Sequence, residues 1–172
     1  MAERKQAVTV KNKPITLIGN TVEIGKPAPD FVVIDNDMKP VKLSDFAGKI
    51  CIICSVPSLD TSVCDIETRK FNKKATQLSG DIVILTISMD LPFAQKRWCA
   101  AAGVKNVKTL SDHKDASFGN SYGVLIKELR LLARAVFIVD KDGILRYRQL
   151  VSEVSTEPDY DNVFNALQEI TT

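Results

Sequence analysis

Four cysteines, at positions 51, 54, 64 and 99, and a single histidine, His113, are the residues with which this 172-residue chain could carry out nucleophilic, redox or metal chemistry. Cys64 follows the polar, turn-rich stretch PSLDTSV and opens a segment with helical spacing. In the first turn of a helix the unpaired backbone N–H groups and the positive end of the dipole stabilise a thiolate, which is the nucleophilic form of cysteine. A buried, inert cysteine, the usual alternative for this residue type, fits so polar a neighbourhood poorly. Cys99, in WCAAAG, reads by itself as a small packing residue on an alanine-rich helix.

Cys51 and Cys54 spell C-x-x-C, the motif of dithiol oxidoreductases. That motif works where a helix begins, so that both sulfurs meet and the first is activated. Here the pair lies inside ICIICSV, a strand-like run in which residues three apart point to opposite faces, so packing is the expected role. A redox role for Cys54 stays open, because the polar stretch begins three residues later at Pro57. A zinc site would commonly need a second C-x-x-C knuckle, and there is one such pair only, so no metal is implied. His113 stands alone in SDHKD, where solvent exposure is expected, and nothing pairs it with Cys64 as a Cys–His hydrolase requires. FGNSYG at 118–123 lacks the strand–turn–helix context of a phosphate-binding loop, and no cofactor is implied.

The elements that would position these residues follow from the hydrophobic pattern. TVKNKPITL predicts a β-hairpin turning at Asn12–Lys13, and FVVID at 31–35 a strand. ICIICSV at 50–56 and DIVILTISM at 81–89 are short, β-branched apolar runs that suit strands buried on both faces. Between them, Ile66, Phe71, Ala75 and Leu78 recur at helical spacing, with Glu67, Arg69, Lys70, Lys73 and Lys74 assigned to the polar face. Ser62 and Asp65 resemble a capping pair at the start of this helix. A second helix runs from Pro92 to Gly103. VKTLSD, a polar loop, and the two strands AVFIVDKDG and ILRYRQLV follow. Asp142–Gly143 forms a hairpin signal there, and Arg146 and Arg148 share an exposed face. A last helix spans about Asp159 to Ile170. This order describes an α/β sandwich in a single domain, 1–172, with no repeat or linker.

Composition excludes several function classes. Lys and Arg number 23 and Asp and Glu 21, a formal charge of +2 that gives no reason to expect nucleic acid or an anionic membrane as partner. No apolar run approaches the roughly 20 residues of a membrane span, and MAERKQAVTVKNKPITLIGN lacks the apolar core of a secretory signal. A cytoplasmic location is therefore expected, with the cysteines reduced by default and free for catalysis.

Pro57, Thr61 and Cys64 form P-x-x-x-T-x-x-C, and the chain here resembles the peroxiredoxins. The wider string VPSLDTSVCDIETRKFN is similar to their thiol peroxidase branch, and the likeness continues in GKPAPDF, LLARAVFIVDKDG and QLVSEVSTEPDYDNVF. The resemblance implies a thioredoxin-like fold of peroxiredoxin type: a central mixed sheet flanked by helices, with TVKNKPITL as the N-terminal hairpin this branch adds. It implies that Cys64 is the peroxidatic cysteine, which attacks a hydroperoxide and becomes a sulfenic acid. Thr61 would hydrogen-bond the thiolate, Arg134 would hold thiolate and peroxide oxygens, and Pro57 would shield the thiolate. Taken without the resemblance, Arg134 reads as a solvated charge before a strand. Cys99 matches the resolving cysteine, which would close an intramolecular disulfide for a thioredoxin-type reductant protein to reopen. The resemblance also implies a homodimer and a preference for bulky alkyl hydroperoxides.

Two other classes compete with a peroxidase. A disulfide reductase acting through Cys51 and Cys54 would survive loss of Cys64. A redox sensor would form the Cys64–Cys99 bond but pass it to a partner protein, turning peroxide over slowly. The two sulfurs are 35 residues apart, so closing that loop constrains the unfolded chain by about 4 kcal/mol before native strain is subtracted. If both helices persist in the reduced form, the bond requires local unwinding of each.

Overall fold

The computed structural model describes all residues from Met1 to Thr172. Its centre is a strand that reads as continuous apolar sequence, β5 (Ile50–Ser55), flanked on one side by β6 (Ile82–Ser88) in parallel and on the other by β9 (Ala135–Val139) antiparallel. The sheet has seven strands in the order β10-β9-β5-β6-β7-β3-β4, completed by β3 (Val32–Ile34), β4 (Pro40–Lys42), β7 (Lys108–Ser111) and β10 (Leu145–Leu150). The parallel pairs β5–β6 and β6–β7 need crossovers, and helices α1 (Ser62–Ala75) and α2 (Pro92–Ala102) supply them. Helix α4 (Tyr160–Thr171) starts at Asp159, whose carboxylate accepts from Asn162 N at 3.0 Å.

Strand alternation sorts the core onto the two sheet faces. Cys51 and Ile53 of β5 join Leu85, Ile87 and Phe137 in one cluster, while Ile50, Ile52 and Cys54 join Ile84, Val136 and Ile138 in the other. Phe71 of α1 and Val163 and Leu167 of α4 cover the second cluster, so α1 and α4 share one face of the sheet. Phe31, Phe118 and Tyr122 fill the first; Phe31 and Phe118 meet edge to face with centroids 5.2 Å apart.

Several elements differ from the sequence reading. The N-terminal hairpin pairs β1 (Glu3–Val10) with β2 (Lys13–Ile18), and its turn residues are Lys11 and Asn12, one position earlier than predicted. Both have positive φ (49° and 65°), which the right-handed strand twist favours in a two-residue turn. The first half of β1 is too charged to show an apolar alternation, and the hairpin extends with β8 (Leu125–Ile126) into a separate three-stranded sheet. Helix α1 stops at Ala75, short of Leu78, and Ile66 on its supposed apolar stripe is exposed. The segment read as a polar loop after VKTLSD carries α3 (Ser117–Tyr122) and buries Phe118 and Tyr122. His113, expected in solvent, is half-buried with Nδ1 2.9 Å from Ser111 Oγ.

The short helix α3 depends on Asp112, buried at its start, whose carboxylate accepts from Phe118 N at 3.0 Å and Gly119 N at 2.8 Å. Burial pushes the Asp112 carboxyl up from 3.8 to about 6 against the pull of those donors. The folded state therefore holds this proton more tightly than the unfolded chain. The stability it contributes is fully present below pH 3.8 and is lost as pH rises through about 6. Denaturant unfolding at pH 4 and pH 7 is expected to show a fall in stability with rising pH that shrinks by about 2–3 kcal/mol in Asp112→Asn. An undiminished fall in that variant would remove Asp112 as its source.

Candidate active site

The parallel strands β5 and β6 end at the same edge of the sheet, and the chain leaving each one builds the site. After β5 come Pro57, buried, and the turn Ser58–Thr61, whose Thr61 N–H donates to Ser58 O at 3.1 Å and which delivers Thr61 as the N-cap of α1. The expected Ser62–Asp65 capping pair is not formed. Ser62 is already the first helical residue, and Asp65 instead accepts from Arg69 Nε at 2.8 Å and from Trp98 Nε1 at 3.0 Å. Antiparallel register sets Ser55 opposite Ala135, which brings Arg134, the residue before β9, to the same edge. Ser55 Oγ donates to Ala133 O at 2.7 Å and Val151 N donates to Arg134 O at 3.0 Å, so the Arg134 backbone is fixed on both sides.

Cys64 lies in the first turn of α1 with no solvent exposure, packed with Val56, Leu59 and Trp98. Thr61 Oγ1 is 2.7 Å from its sulfur and 2.8 Å from Ser58 O. One hydroxyl proton serves both arrangements: with a thiol at Cys64 it goes to Ser58 O, and with a thiolate it turns to the sulfur. Arg134 Nη2 donates to the same sulfur at 3.4 Å. Thr61, Cys64 and Arg134, separated by up to 73 residues in sequence, thus meet at one sulfur.

Arg134 is not the solvated charge that the bare sequence suggests; it is 1% exposed. Its Nη1 donates to Glu67 Oε2 at 2.6 Å and its Nε to Val154 O at 2.9 Å. Burial acts against the guanidinium's charge, but Cys64 and Glu67 outweigh it and hold the group's pKa above the ordinary arginine value. Glu67 was assigned to the polar face, yet it is fully buried, and that burial raises its carboxyl to about 7 against the lowering pull of Arg134. Its Oε1 has no partner. The signal that could have found Glu67 is its spacing, three residues after Cys64 and therefore on the same helix face.

Asp90, which leaves the end of β6, was missed as well. Its Oδ1 accepts from Ser58 Oγ at 2.6 Å and its Oδ2 from Leu59 N at 2.8 Å and Ser88 Oγ at 2.7 Å, so it holds the turn that presents Thr61. No local pattern marks a carboxylate whose partners in that turn lie 31 and 32 residues away.

The other cysteines separate cleanly. Cys51 and Cys54 are buried on opposite faces of β5, as the strand reading predicts, and cannot meet without dismantling the strand. Burial pushes the Cys51 thiol up to about 11 and Cys54 well above its usual range, the Glu67 carboxylate adding to the latter. Neither supplies a thiolate at neutral pH, and the disulfide-reductase reading loses its geometry. Cys99 is half-buried on α2, its sulfur 3.3 Å from Thr109 Oγ1, and is not bonded to Cys64. A surface cleft of about 720 Å³ is lined by Ile50, Asp81 and Asp140 at the opposite end of β5 and contains none of these cysteines.

A buried sulfur between a hydroxyl and a guanidinium, with an acid fixing the guanidinium, is built to hold a sulfur anion and to stabilise charge forming beside it. The Redoxin family model matches residues 23–164. The chain is 54% identical over 160 residues to the thiol peroxidase of Halalkalibacterium halodurans, covering 93% of this chain and 96% of that protein. It is 55% identical over 163 residues to the thiol peroxidase of Staphylococcus aureus strain MRSA252, covering 95% and 98%. Among solved structures, a peroxiredoxin-like protein from Aquifex aeolicus superposes with a TM-score of 0.90 at 40% identity, over 96% of this chain and 97% of that one. The thiol peroxidase of Chromobacterium violaceum, 20% identical, shares the fold with a TM-score of 0.84 over 94% and 95% of the chains. With the family model spanning most of the fold, and relatives identical at more than half of their aligned positions, this chain belongs to the Redoxin family, among its thiol peroxidases, and is a peroxidase with a thioredoxin-like fold.

Proposed function

We propose that the chain reduces hydrogen peroxide and organic hydroperoxides with Cys64 as the attacking thiolate and Cys99 as the resolving thiol. The observation that carries the assignment is the convergence of Thr61 Oγ1, at 2.7 Å, and Arg134 Nη2, at 3.4 Å, on one buried sulfur. The Cys64 thiolate attacks the outer oxygen of the hydroperoxide. An S–O bond forms, the O–O bond breaks, and the departing alkoxide or hydroxide is protonated to alcohol or water, leaving a sulfenic acid. Negative charge moves from sulfur to the departing oxygen in that step, and the Arg134 guanidinium, with two nitrogens on Glu67 and Cys64, is placed to follow it. Pro57 closes the floor of the site against water.

The Cys99 thiolate then attacks the Cys64 sulfur, an S–S bond forms, and hydroxide leaves as water with the proton that the thiol released. A thioredoxin-type dithiol protein reopens this bond, its own two thiols becoming a disulfide. Ile66, two residues after Cys64, and Leu91 and Phe93, just after Asp90, are exposed apolar side chains near the site in sequence, which supports alkyl hydroperoxides as substrates. The working form is a cytoplasmic homodimer, which sedimentation would report as twice the 19.0 kDa chain mass.

One equivalent of hydroperoxide on reduced protein, followed by non-reducing digestion and mass mapping, is expected to give a Cys64–Cys99 link with Cys51 and Cys54 still free. A Cys51–Cys54 link with Cys64 untouched would overturn the assignment. Cys64→Ser is expected to abolish peroxide reduction, and Cys99→Ser to stop after one equivalent as the sulfenic acid. Multiple turnovers with a thioredoxin system separate the enzyme from a sensor that only hands on its disulfide.

Arg134→Lys keeps a positive charge but loses the fork that reaches Glu67, Val154 and Cys64 together. The second-order rate of Cys64 oxidation is expected to fall about 100-fold or more. A rate matching the unaltered protein would mean that the fork's geometry has no part in the reaction.

A further inference from the structure

We infer that Trp98 and Asp65 form a latch that sets the rate of the resolving step. The inference rests on the roles proposed above for Cys64 and Cys99. Asp65 directly follows Cys64, and Trp98 directly precedes Cys99. Trp98 Nε1 donates to Asp65 Oδ1 at 3.0 Å, and the other Asp65 oxygen accepts from Arg69 Nε at 2.8 Å. The Arg69 guanidinium carbon lies 5.8 Å from the Trp98 ring centroid, and its Nη1 donates to Ala102 O at 3.3 Å. Three side chains thus close a ring between the two cysteine-bearing helices. Asn72 Oδ1 continues the seam, accepting from Lys105 N at 3.2 Å and Asn106 N at 2.8 Å.

Helix geometry makes this ring an obstacle to the disulfide. Neighbouring residues on a helix project about 100° apart. With Trp98 docked against α1 and packed on Cys64, Cys99 is turned away, onto Thr109 of β7. The Cys99 sulfur cannot reach the Cys64 sulfur until Trp98 lifts off Asp65. In the docked state Cys64 keeps its contacts with Thr61 and Arg134 and attacks peroxide; in the undocked state it meets Cys99. The latch therefore divides the sulfenic acid between two fates. One is attack by Cys99, giving disulfide and water. The other is attack on a second hydroperoxide molecule, which transfers its outer oxygen to give sulfinic acid and an alcohol.

Rapid-quench mass spectrometry separates these steps. Trp98→Phe keeps the ring and removes the N–H, and Asp65→Asn keeps the shape and removes the charge. Both are expected to speed disulfide formation from the sulfenic acid about tenfold, the factor that matches one lost hydrogen bond to a charged group. Both should lower the share of sulfinic acid at excess peroxide, and in a Cys99→Ser background neither should speed sulfenic acid formation. Since Trp98 is the only tryptophan, its fluorescence in the unaltered protein should change with disulfide formation, not with sulfenic acid formation. Unchanged disulfide rates and sulfinic shares in both variants would overturn the latch. So would a parallel slowing of both steps, which is the mark of a merely structural role. Absence of any Cys64–Cys99 disulfide in the unaltered protein would instead overturn the assignment of Cys99, and the latch with it.

Discussion

A guanidinium buried to 1% exposure is the constraint on which the site depends. Taking such a cation out of water costs several kcal/mol unless its surroundings replace the lost hydration. Arg134 recovers that cost through one carboxylate, one carbonyl and one sulfur, supplied by Glu67, Val154 and Cys64. Two of these come from α1 and one from the segment beyond β10. The ion therefore fixes where α1 begins relative to the sheet, and one of its three partners is the Cys64 sulfur itself. Structure and reactivity are coupled through the same cation. Glu67 completes this arrangement at a price of its own, since its second oxygen is buried without a partner.

The sheet makes the encounter possible. Because β5 and β6 run parallel and β9 runs against them, the ends of the first two and the beginning of the third fall on one edge. Pro57, Thr61, Asp90 and Arg134 reach a common point from separate connections, and none of them has to come from a long excursion. A cluster assembled in this way tolerates little movement of any single connection, which explains why Asp90 binds both a side chain and a backbone N–H of the turn beside it.

The sequence was most legible where chemistry and periodicity were both local. P-x-x-x-T-x-x-C carries the thiol and its hydroxyl partner, and the alternation in ICIICSV by itself separates Cys51 from Cys54. Strand and helix order was also readable, down to the Pro92 start and the left-handed Gly103 stop of α2. What was hidden depended on partners distant in sequence. Glu67 looks like one more charge on a solvated helix face, and only Arg134, 67 residues later, makes it a core residue. Asp112 likewise turns polar SFGNSY into a short helix by capping it from outside, and the aromatic packing of Phe118 and Tyr122 does the rest. The N-terminal half of β1 is a strand because of its neighbour β2, not because of its own composition.

The split of Cys51 and Cys54 across β5 has a consequence for how many electrons the molecule can surrender. Each folded chain carries four thiols, but on the roles proposed for Cys64 and Cys99 it offers two reducing equivalents, since Cys51 and Cys54 are insulated from each other by the thickness of a sheet. The reserve becomes available only when the central strand is lost, so conformational stability and oxidative capacity are one property here. A population of chains under thermal stress would consume oxidant beyond its catalytic stoichiometry, and chains so oxidised could not rebuild β5 until the new bonds were removed.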